Sequence, residues 1–550
     1  MNPTPSHTER NYQLQLLILT LIVNCSGLFV TILGPDGALY ASIAKTMETR
    51  NDFISLFAEG SDWLDKPHFP FWITAFSFKL FGVTTWAYKL PAILFLFMGA
   101  RYTFLLAAKL YDERTAWWSA IILLTAEHII ISNNDVRAEP YLTGLIIAAV
   151  YHFYRAKQVN NYWHLTAGAL FAACAVMTKG MFALIPVCGA IGLELIIKKE
   201  WKQLFHVRWL IAVLLISLFI APELYCLYYQ FDLHPEKIVF GRTGVSGLRF
   251  FFWDSQFGRF FNTGPIKGSG DPFFFLHTLL WAFLPWSVMM YVALFQKIKN
   301  RLRNPTAQEW YTLGGFLPCI LLFSLSKFQL PHYSNILFPF ISILTAQYLL
   351  LSHTPITKKL IRVIQTTIVM LLSVLVVALH IVFEPGYTVL AIGLACVAIA
   401  GWFLLPLRKW AAGNRMGPAI YTVWAIMWVN LYLNLFFYPA LLHYQSGSEA
   451  AMFVNRNYTN MPVVQLRKDY SYALEFYLHQ QLYTVNDLAD TVQLPHRPFL
   501  VYIAAENTAP VNGEVISSFE NFHVSRLTFR LLNHTTRSQE TGAYRVYLVR

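Results

Sequence analysis

Apolar runs of roughly twenty residues recur from Leu16 to about Phe437, separated by short polar segments. Coiled as a helix, such a run crosses the ~30 Å hydrocarbon core of a bilayer. Spans are expected near 13–33, 89–108, 115–132, 140–154, 163–177, 180–197, 209–230, 272–295, 309–325, 331–352, 362–383, 386–405 and 418–439, about thirteen in all, with the termini on opposite sides. Lys and Arg collect in alternate breaks: Lys109/Arg114, Arg155/Lys157, Lys198/Lys199/Lys202/Arg208, Lys297/Lys299/Arg301/Arg303, Lys358/Lys359/Arg362 and Arg408/Lys409/Arg415. Positive loops face the cytoplasm, so that side, and the N-terminus with it, is assigned there. The first run lacks a small-residue cleavage site before Gly34 to Tyr40, so it is expected to remain as a span.

The opposite side receives 34–88, 133–139, 178–179, a long aromatic-rich loop over 231–271, 326–332 and everything beyond about Leu441. Within the first of these, Ala38–Thr49 and the short apolar stretch Pro67–Gly82 read as interfacial helices. From Ser446 the chain turns polar. Val463–Leu466, Leu500–Ala504, His523–Phe529 and Tyr544–Val549 read as strands and Ser471–His479 as a helix. The expected architecture is an all-α polytopic membrane unit over 1–440 and a small extracytoplasmic α/β unit over 441–550.

Composition agrees: 56% of residues are hydrophobic and 13% charged, against about a quarter charged in soluble domains. The formal charge of +12 follows the loop clusters, so topology explains it and no nucleic-acid partner is expected. All six cysteines lie in apolar segments, which disfavours a disulfide framework or a paired-cysteine zinc site. No phosphate-binding G-x-x-x-x-G-K-[ST] loop, nucleophile-elbow serine or H-E-x-x-H helix occurs.

Charged residues near a membrane core cost about 2.5–3.5 kcal/mol each on insertion scales, so they usually have a partner or a task. Asp36 follows Gly34–Pro35 at the end of the first span. It suits a general base on an acceptor hydroxyl, or a cap for the helix that follows. Asp65-Lys66-Pro67-His68 places a carboxylate, an ammonium and an imidazole together; Lys66 suits a phosphate, and Asp65 with His68 is a candidate pair for a divalent metal. In Ser132–Pro140, Asp135, Arg137 and Glu139 alternate: either an internal ion pair with a helix-start carboxylate, or groups that contact sugar hydroxyls. Lys179 and Lys327 lie in hinges between spans, and with Lys66, Arg137 and Arg242 they make a positive field suited to a lipid phosphate. The long loop adds Arg249, Arg259 and Lys267. Extracytoplasmic chemistry without nucleotide needs a pre-activated donor, and a polyprenyl-phosphate sugar is one whose leaving group is a phosphate.

Six short motifs occur in an order that resembles the GT-C membrane glycosyltransferases of the protein-mannosyltransferase/aminoarabinose-transferase type, bacterial lipid A aminoarabinose transferases above all. They are Asp36 with Tyr40, D-K-P (Asp65–Pro67), R-A-E (Arg137–Glu139), T-K-G (Thr178–Gly180), L-P-W (Leu284–Trp286) and S-K-x-x-L-P-x-Y (Ser326–Tyr333). The resemblance covers about 13–440. It implies inverting transfer from an undecaprenyl-phosphate-linked sugar to a glycolipid, glycan or protein acceptor on the periplasmic face of a bacterial inner membrane. It further implies Asp36 as catalytic acid, Glu139 or Asp135 as the second acidic position, Asp65 and Lys66 near the donor phosphate or a metal, and Tyr40, His332 and Tyr333 against substrate. The sequence departs from the pattern at Gly37, where an acidic residue commonly follows, at Leu39, where Arg often precedes the Tyr, at Asp65 in place of Glu, and at His68 in place of a second Pro. A lipid-linked sugar transporter is the competing reading. It calls for ionisable groups at mid-helix, whereas here they gather at one end of the spans.

Overall fold

The computed structural model describes residues 6–159, 161–303, 306, 308–351, 354–404, 407–414, 416–489, 493–507 and 510–550. Arg415, read above as part of the last basic loop, lies outside them, as does the end of the 386–405 span. The N-terminal half is a run of helices: α1 (His7–Cys25), α2 (Gly34–Arg50), α3 (Phe69–Phe81), α4 (Thr85–Leu110), α5 (Glu113–Leu124), α6 (Glu127–Asn134), α7 (Glu139–Val159), α8 (Tyr162–Lys179) and α9 (Ile185–Ile197). A two-strand hairpin, β1 (Phe57–Ala58) and β2 (Ser61–Asp62), sits between α2 and α3.

By length and composition, five helices among the described residues suffice to cross a membrane, or six if the bent pair α5–α6 counts as one. Of the other expected spans, those on α1, α7 and α8 are single helices of 19, 21 and 18 residues, and the rest are shorter or jointed. The stretch 115–132 is broken by a 49° bend between α5 and α6. The L-P-W segment fills that break: Glu127 N donates to the Leu284 carbonyl (2.9 Å) and the Trp286 indole to Thr125 Oγ1 (3.0 Å). The stretch 272–295 is likewise divided, into Phe274–Ala282 and Ser287–Arg303, because Pro285 supplies no N–H to a continuous helix.

Several polar residues inside the bundle pair across helices. Asn133 donates to Asn24 (2.7 Å), Asn134 to Asn434 (2.8 Å), Asn434 to Ser26 (2.8 Å) and Asn335 to Ser132 (2.7 Å). Buried Lys89 donates to the carbonyls of Gly27 and Val30 (3.0 and 2.6 Å) beyond the end of α1. Amides in hydrocarbon find such partners because solvation is lost there. Together these bonds hold the α1 end, the α6 end and the 331–337 turn in one place.

The C-terminal region folds around a five-stranded sheet of order β4-β3-β5-β7-β6, with β3 (Val463–Leu466), β4 (Leu482–Val485), β5 (Phe499–Ala504), β6 (Glu514–Asn521) and β7 (Gly542–Val549). β3 pairs in parallel with β4 and β5, and β7 runs antiparallel between β5 and β6. Every residue of β5 is buried, as expected of a central strand read as a continuous apolar run. The strand expected over His523–Phe529 does not form. That segment turns so that Val524 and Leu531 pack against Phe383, Phe437 and Leu441, and the edge strands are instead β4 and β6. The expected helix forms over Tyr472–Tyr477, capped by Ser471.

This helix docks on α2. Lys45 Nζ donates to the carbonyls of Glu475, Phe476 and Leu478 (2.8, 3.0 and 2.6 Å), Ser42 to that of Tyr472 (3.1 Å), and Ile32 N to the Tyr477 hydroxyl (2.9 Å). A lysine closing the last carbonyls of a helix meets both its orphan acceptors and its negative dipole end. Lys45→Ala is expected to cost about 1.5–3 kcal/mol and to speed proteolysis of the C-terminal region; limited proteolysis followed by mass spectrometry checks it.

Candidate active site

Asp36 lies in the first turn of α2, where a carboxylate meets the positive helix end. It makes no capping bond there; Leu33 is the cap residue, and it contributes no side chain. Arg137 instead contacts both neighbouring acids, Asp36 Oδ2 at 2.6 Å and Asp135 Oδ2 at 2.7 Å. Asp36 is about half exposed (51%), whereas Asp135 and Arg137 are largely enclosed (16% and 17%). Burial outweighs the Arg137 charge at Asp135 and holds its carboxyl above the ordinary range. Gly37 faces this cluster: a Cβ there would lie 2.9 Å from Ile32 Cγ2 and 3.1 Å from Asp135 Oδ1. A second acid at 37 would therefore crowd and repel Asp135.

Glu139 opens α7 and Lys179 closes α8, and the two side chains form a buried ion pair. His332 Nε2 lies 3.8 Å from Glu139, and Lys179 Nζ sits 3.7 Å above the Tyr333 ring. Gly180 makes this turn at φ +90°, and a Cβ there would strike Gln256 Nε2 at 2.2 Å. The T-K-G motif thus needs its glycine to present Lys179.

A third group stands alongside. Asp65 accepts from Lys66 (2.5 Å) and from Arg259, whose guanidinium also lies 5.5 Å from the Phe328 ring centre. Burial would raise the Asp65 carboxyl, but the two cations prevail and hold it below its ordinary value. Burial lowers Lys66 to about 8, opposed by Asp65 and assisted by Arg259. Tyr40 is buried against Trp63 and Phe71 (ring centroids 6.4 and 5.3 Å), within the fields of Asp65, Glu139, Asp36 and Arg137. A cavity of about 80 Å³ lined by Lys179, Arg259, Gln256, Phe182, Phe328 and Tyr333 adjoins these groups.

The structure thus brings together Asp36, Tyr40, Asp65, Lys66, Asp135, Arg137, Glu139, Lys179, His332 and Tyr333. Three buried polar atoms in the cluster have no hydrogen-bond partner among the described residues: Glu139 Oε2, Asp135 Oδ1 and Arg259 Nε. Buried groups left in this state suit a site completed by a polar ligand.

Three expectations are corrected. Arg242 and Lys327 are exposed, and neither side chain joins an ion pair of the cluster among the described residues. Arg259 takes the place expected of Arg242; its signal was a cation among aromatics in the long loop, which Arg242 and Arg249 share. His68 does not stand with Asp65 as a metal pair. It is fully buried, with Nδ1 at 3.1 Å from Glu223 Oε1 and Nε2 at 2.9 Å from the Ile54 carbonyl, while its backbone N–H donates to Glu223 (2.9 Å). Both ring nitrogens are committed and Asp65 is taken by two cations, so these residues do not fit a metal. Among the described residues no group of three or more His, Cys, Asp or Glu side chains is placed to hold one.

Residues 65–225 match the family described as dolichyl-phosphate-mannose-protein mannosyltransferase. A curated relative from Edwardsiella ictaluri, named undecaprenyl phosphate-alpha-4-amino-4-deoxy-L-arabinose arabinosyl transferase, is 28% identical over 57% of this chain and 55% of its own. One of the same name from Enterobacter sp. (strain 638) is 26% identical over 74% and 75%. The chain spans under two thirds of several such relatives, 66% for an uncharacterized protein of Aquifex aeolicus. The crystal structure of ArnT from Cupriavidus metallidurans bound to undecaprenyl phosphate superposes over 98% of both chains, with a TM-score of 0.75 at 17% identity. The fold is the GT-C fold of ArnT. The family match begins at the Asp65-Lys66-Pro67 motif and ends inside the helix that carries Glu223, so it covers the Asp65–Lys66, Asp135–Arg137 and Glu139–Lys179 pairs but neither Asp36 nor Arg259.

The buried role of His68 yields an expectation. His68→Gln should lower stability by about 1–3 kcal/mol, seen as an earlier thermal transition in detergent, and leave bound divalent metal, measured by elemental mass spectrometry, as in the parent.

Proposed function

We propose that this chain is an inverting glycosyltransferase: it moves a sugar from a polyprenyl-phosphate carrier, undecaprenyl phosphate, to an acceptor of the bacterial envelope such as lipid A or another glycan. The observation that carries the reading is the alternation of Asp36, Asp135, Glu139 and Asp65 with Arg137, Lys179, Lys66 and Arg259 at one cluster of helix ends. The ArnT fold and the relatives named undecaprenyl phosphate-alpha-4-amino-4-deoxy-L-arabinose arabinosyl transferase support it. In this reading the cluster faces the periplasm, with the N-terminus cytoplasmic, the region 441–550 extracytoplasmic, about thirteen spans across the inner membrane, and the helices of 34–88 interfacial.

The chemistry divides between the two ends of the cluster. Lys66, Arg259 and Lys179 hold the lipid phosphate, and their charge stabilises it as the leaving group. Asp36, the most exposed of the acids, faces the acceptor and takes the proton from its attacking hydroxyl. Arg137 fixes Asp36 and Asp135 relative to each other. Attack on the anomeric carbon from the side opposite the phosphate inverts its configuration, and the lipid phosphate leaves. Glu139 orients Lys179, and its free oxygen meets a sugar hydroxyl. A protein acceptor is the second reading, favoured by the mannosyltransferase family match.

Mass spectrometry of envelope lipids and glycoproteins, with and without the gene product, identifies sugar and acceptor. An unchanged envelope, with no transfer by the purified chain from undecaprenyl-phosphate sugars in liposomes, overturns the proposal. Asp36→Asn should lower kcat by about 10²–10⁴-fold with membrane insertion intact; near-normal turnover removes Asp36 as the base. Because Lys66 is held near 8, its cation is present below that pH and lost above it. Donor KM should therefore rise as pH passes through about 8, and Lys66→Arg should flatten that rise; a pH-independent donor KM in the parent takes Lys66 out of the phosphate site.

A further inference from the structure

The helices Pro355–Phe383, Thr388–Leu404 and Gly417–Tyr432 enclose a long groove far in sequence from the charged cluster. Its apolar part, about 640 Å³, is lined by Val376, Ala391, Ile399, Trp402, Trp424 and Trp428. A second part of about 570 Å³ shares Val369 and Tyr421 as lining with the first, so the two adjoin. That second part carries Lys358, Arg362, Gln365, Asn414 and Thr422. The groove is therefore apolar along most of the helices and cationic at the end near Lys358, which belongs to the Lys/Arg-rich side of the chain.

Two observations point to a ligand. Some cations on that side are neutralised, as in Lys157–Glu200 (2.5 Å), Lys198–Glu194 (2.6 Å) and Arg301–Glu309. Lys358 and Arg362 are exposed and have no ion-pair partner among the described residues. Beside them Gln365 is buried (1% exposed); its Oε1 accepts from Thr422 Oγ1 at 2.8 Å, while its amide nitrogen has no partner among the described residues. A buried donor left open costs about 1–3 kcal/mol. The cationic end of the groove thus offers one buried donor and two cations beside an apolar wall, a set that matches an anionic headgroup with an acyl chain.

We infer that this groove binds an anionic diacyl phospholipid of the leaflet on the Lys/Arg-rich side. The phosphate sits between Lys358 and Arg362, the Gln365 amide donates to an ester or phosphate oxygen, and an acyl chain lies along the tryptophan-lined part between the three helices. The site is separate from the proposed donor site, which lies at the other charged cluster and uses other cations. It adds to the sparse side-chain packing by which the mostly exposed helix Thr388–Leu404 meets the bundle, chiefly Trp402 on Tyr421 and Trp424 (ring centroids 4.5 and 6.1 Å).

The full-length chain, delipidated in detergent and exposed to palmitoyl-oleoyl phosphatidylglycerol or phosphatidylcholine, tests this by native mass spectrometry. Phosphatidylglycerol should be retained about tenfold or more over phosphatidylcholine. Lys358→Gln with Arg362→Gln, both exposed and so harmless to the core, should abolish that preference, and Gln365→Leu should lower phosphatidylglycerol retention several-fold. Equal retention of the two lipids, or unchanged preference in the double variant, overturns the assignment. So does displacement of phosphatidylglycerol by inorganic phosphate alone, or by undecaprenyl phosphate at equal concentration. Failure of the proposed transfer reaction leaves all these readings intact.

Discussion

Charge removed from water at the ends of apolar helices has to be compensated, and this constraint organises the polar end of the molecule. A lone buried carboxylate or ammonium carries a penalty of several kcal/mol, which only close opposite charge offsets. Asp36, Asp135, Glu139 and Asp65 are each matched by Arg137, Lys179, Lys66 or Arg259, and three of the matches, Asp36–Arg137, Glu139–Lys179 and Asp65–Arg259, join separate elements. The ion pairs thereby decide where α2, α7, α8 and the long loop meet. The same arrangement leaves Glu139 Oε2, Asp135 Oδ1 and Arg259 Nε open, so the structural compensation and the capacity to take a polar ligand are one feature.

Departures from the family pattern find physical reasons in this setting. Gly37 stands where an acid is common, and Asp135 already occupies the adjacent space with its carboxylate. His68 replaces a proline, and its backbone N–H and ring then bind Glu223 and Ile54, a structural bond that proline lacks a donor to make. The long loop contributes Arg259 to Asp65, a cation in the same cluster whose pattern lacks Arg at Leu39.

The C-terminal region is bound to this organisation. Its short helix rests on α2 through Lys45 and Ser42, and Tyr472 reaches Glu59 beside the hairpin (2.5 Å). α2 carries Asp36 and Tyr40 on the same helix. Docking of the C-terminal region and presentation of Asp36 therefore share one rigid element.

Much was legible in the order of residues. Hydropathy is additive along the chain, so the apolar runs, the segregation of Lys and Arg to alternate breaks and the gathering of Asp36, Asp65, Asp135 and Glu139 at the other ends needed no tertiary information. Turn motifs such as T-K-G were legible too, because a left-handed glycine is a local requirement. Pairing was not. Arg259 and Asp65 lie 194 positions apart, and His68 and Glu223 155 apart, and nothing local distinguishes Arg259 from Arg242 or a metal-ready imidazole from a buried structural one. The strand expected over His523–Phe529 failed for the same reason, since Val524 packs against distant helix ends and Phe529 opens a short helix. Sequence alone determined which residues are costly to bury and at which end of the chain's helices they gather; only the tertiary structure decided which opposite charge meets each of them, because electrostatic compensation depends on distance in space and not on distance along the chain.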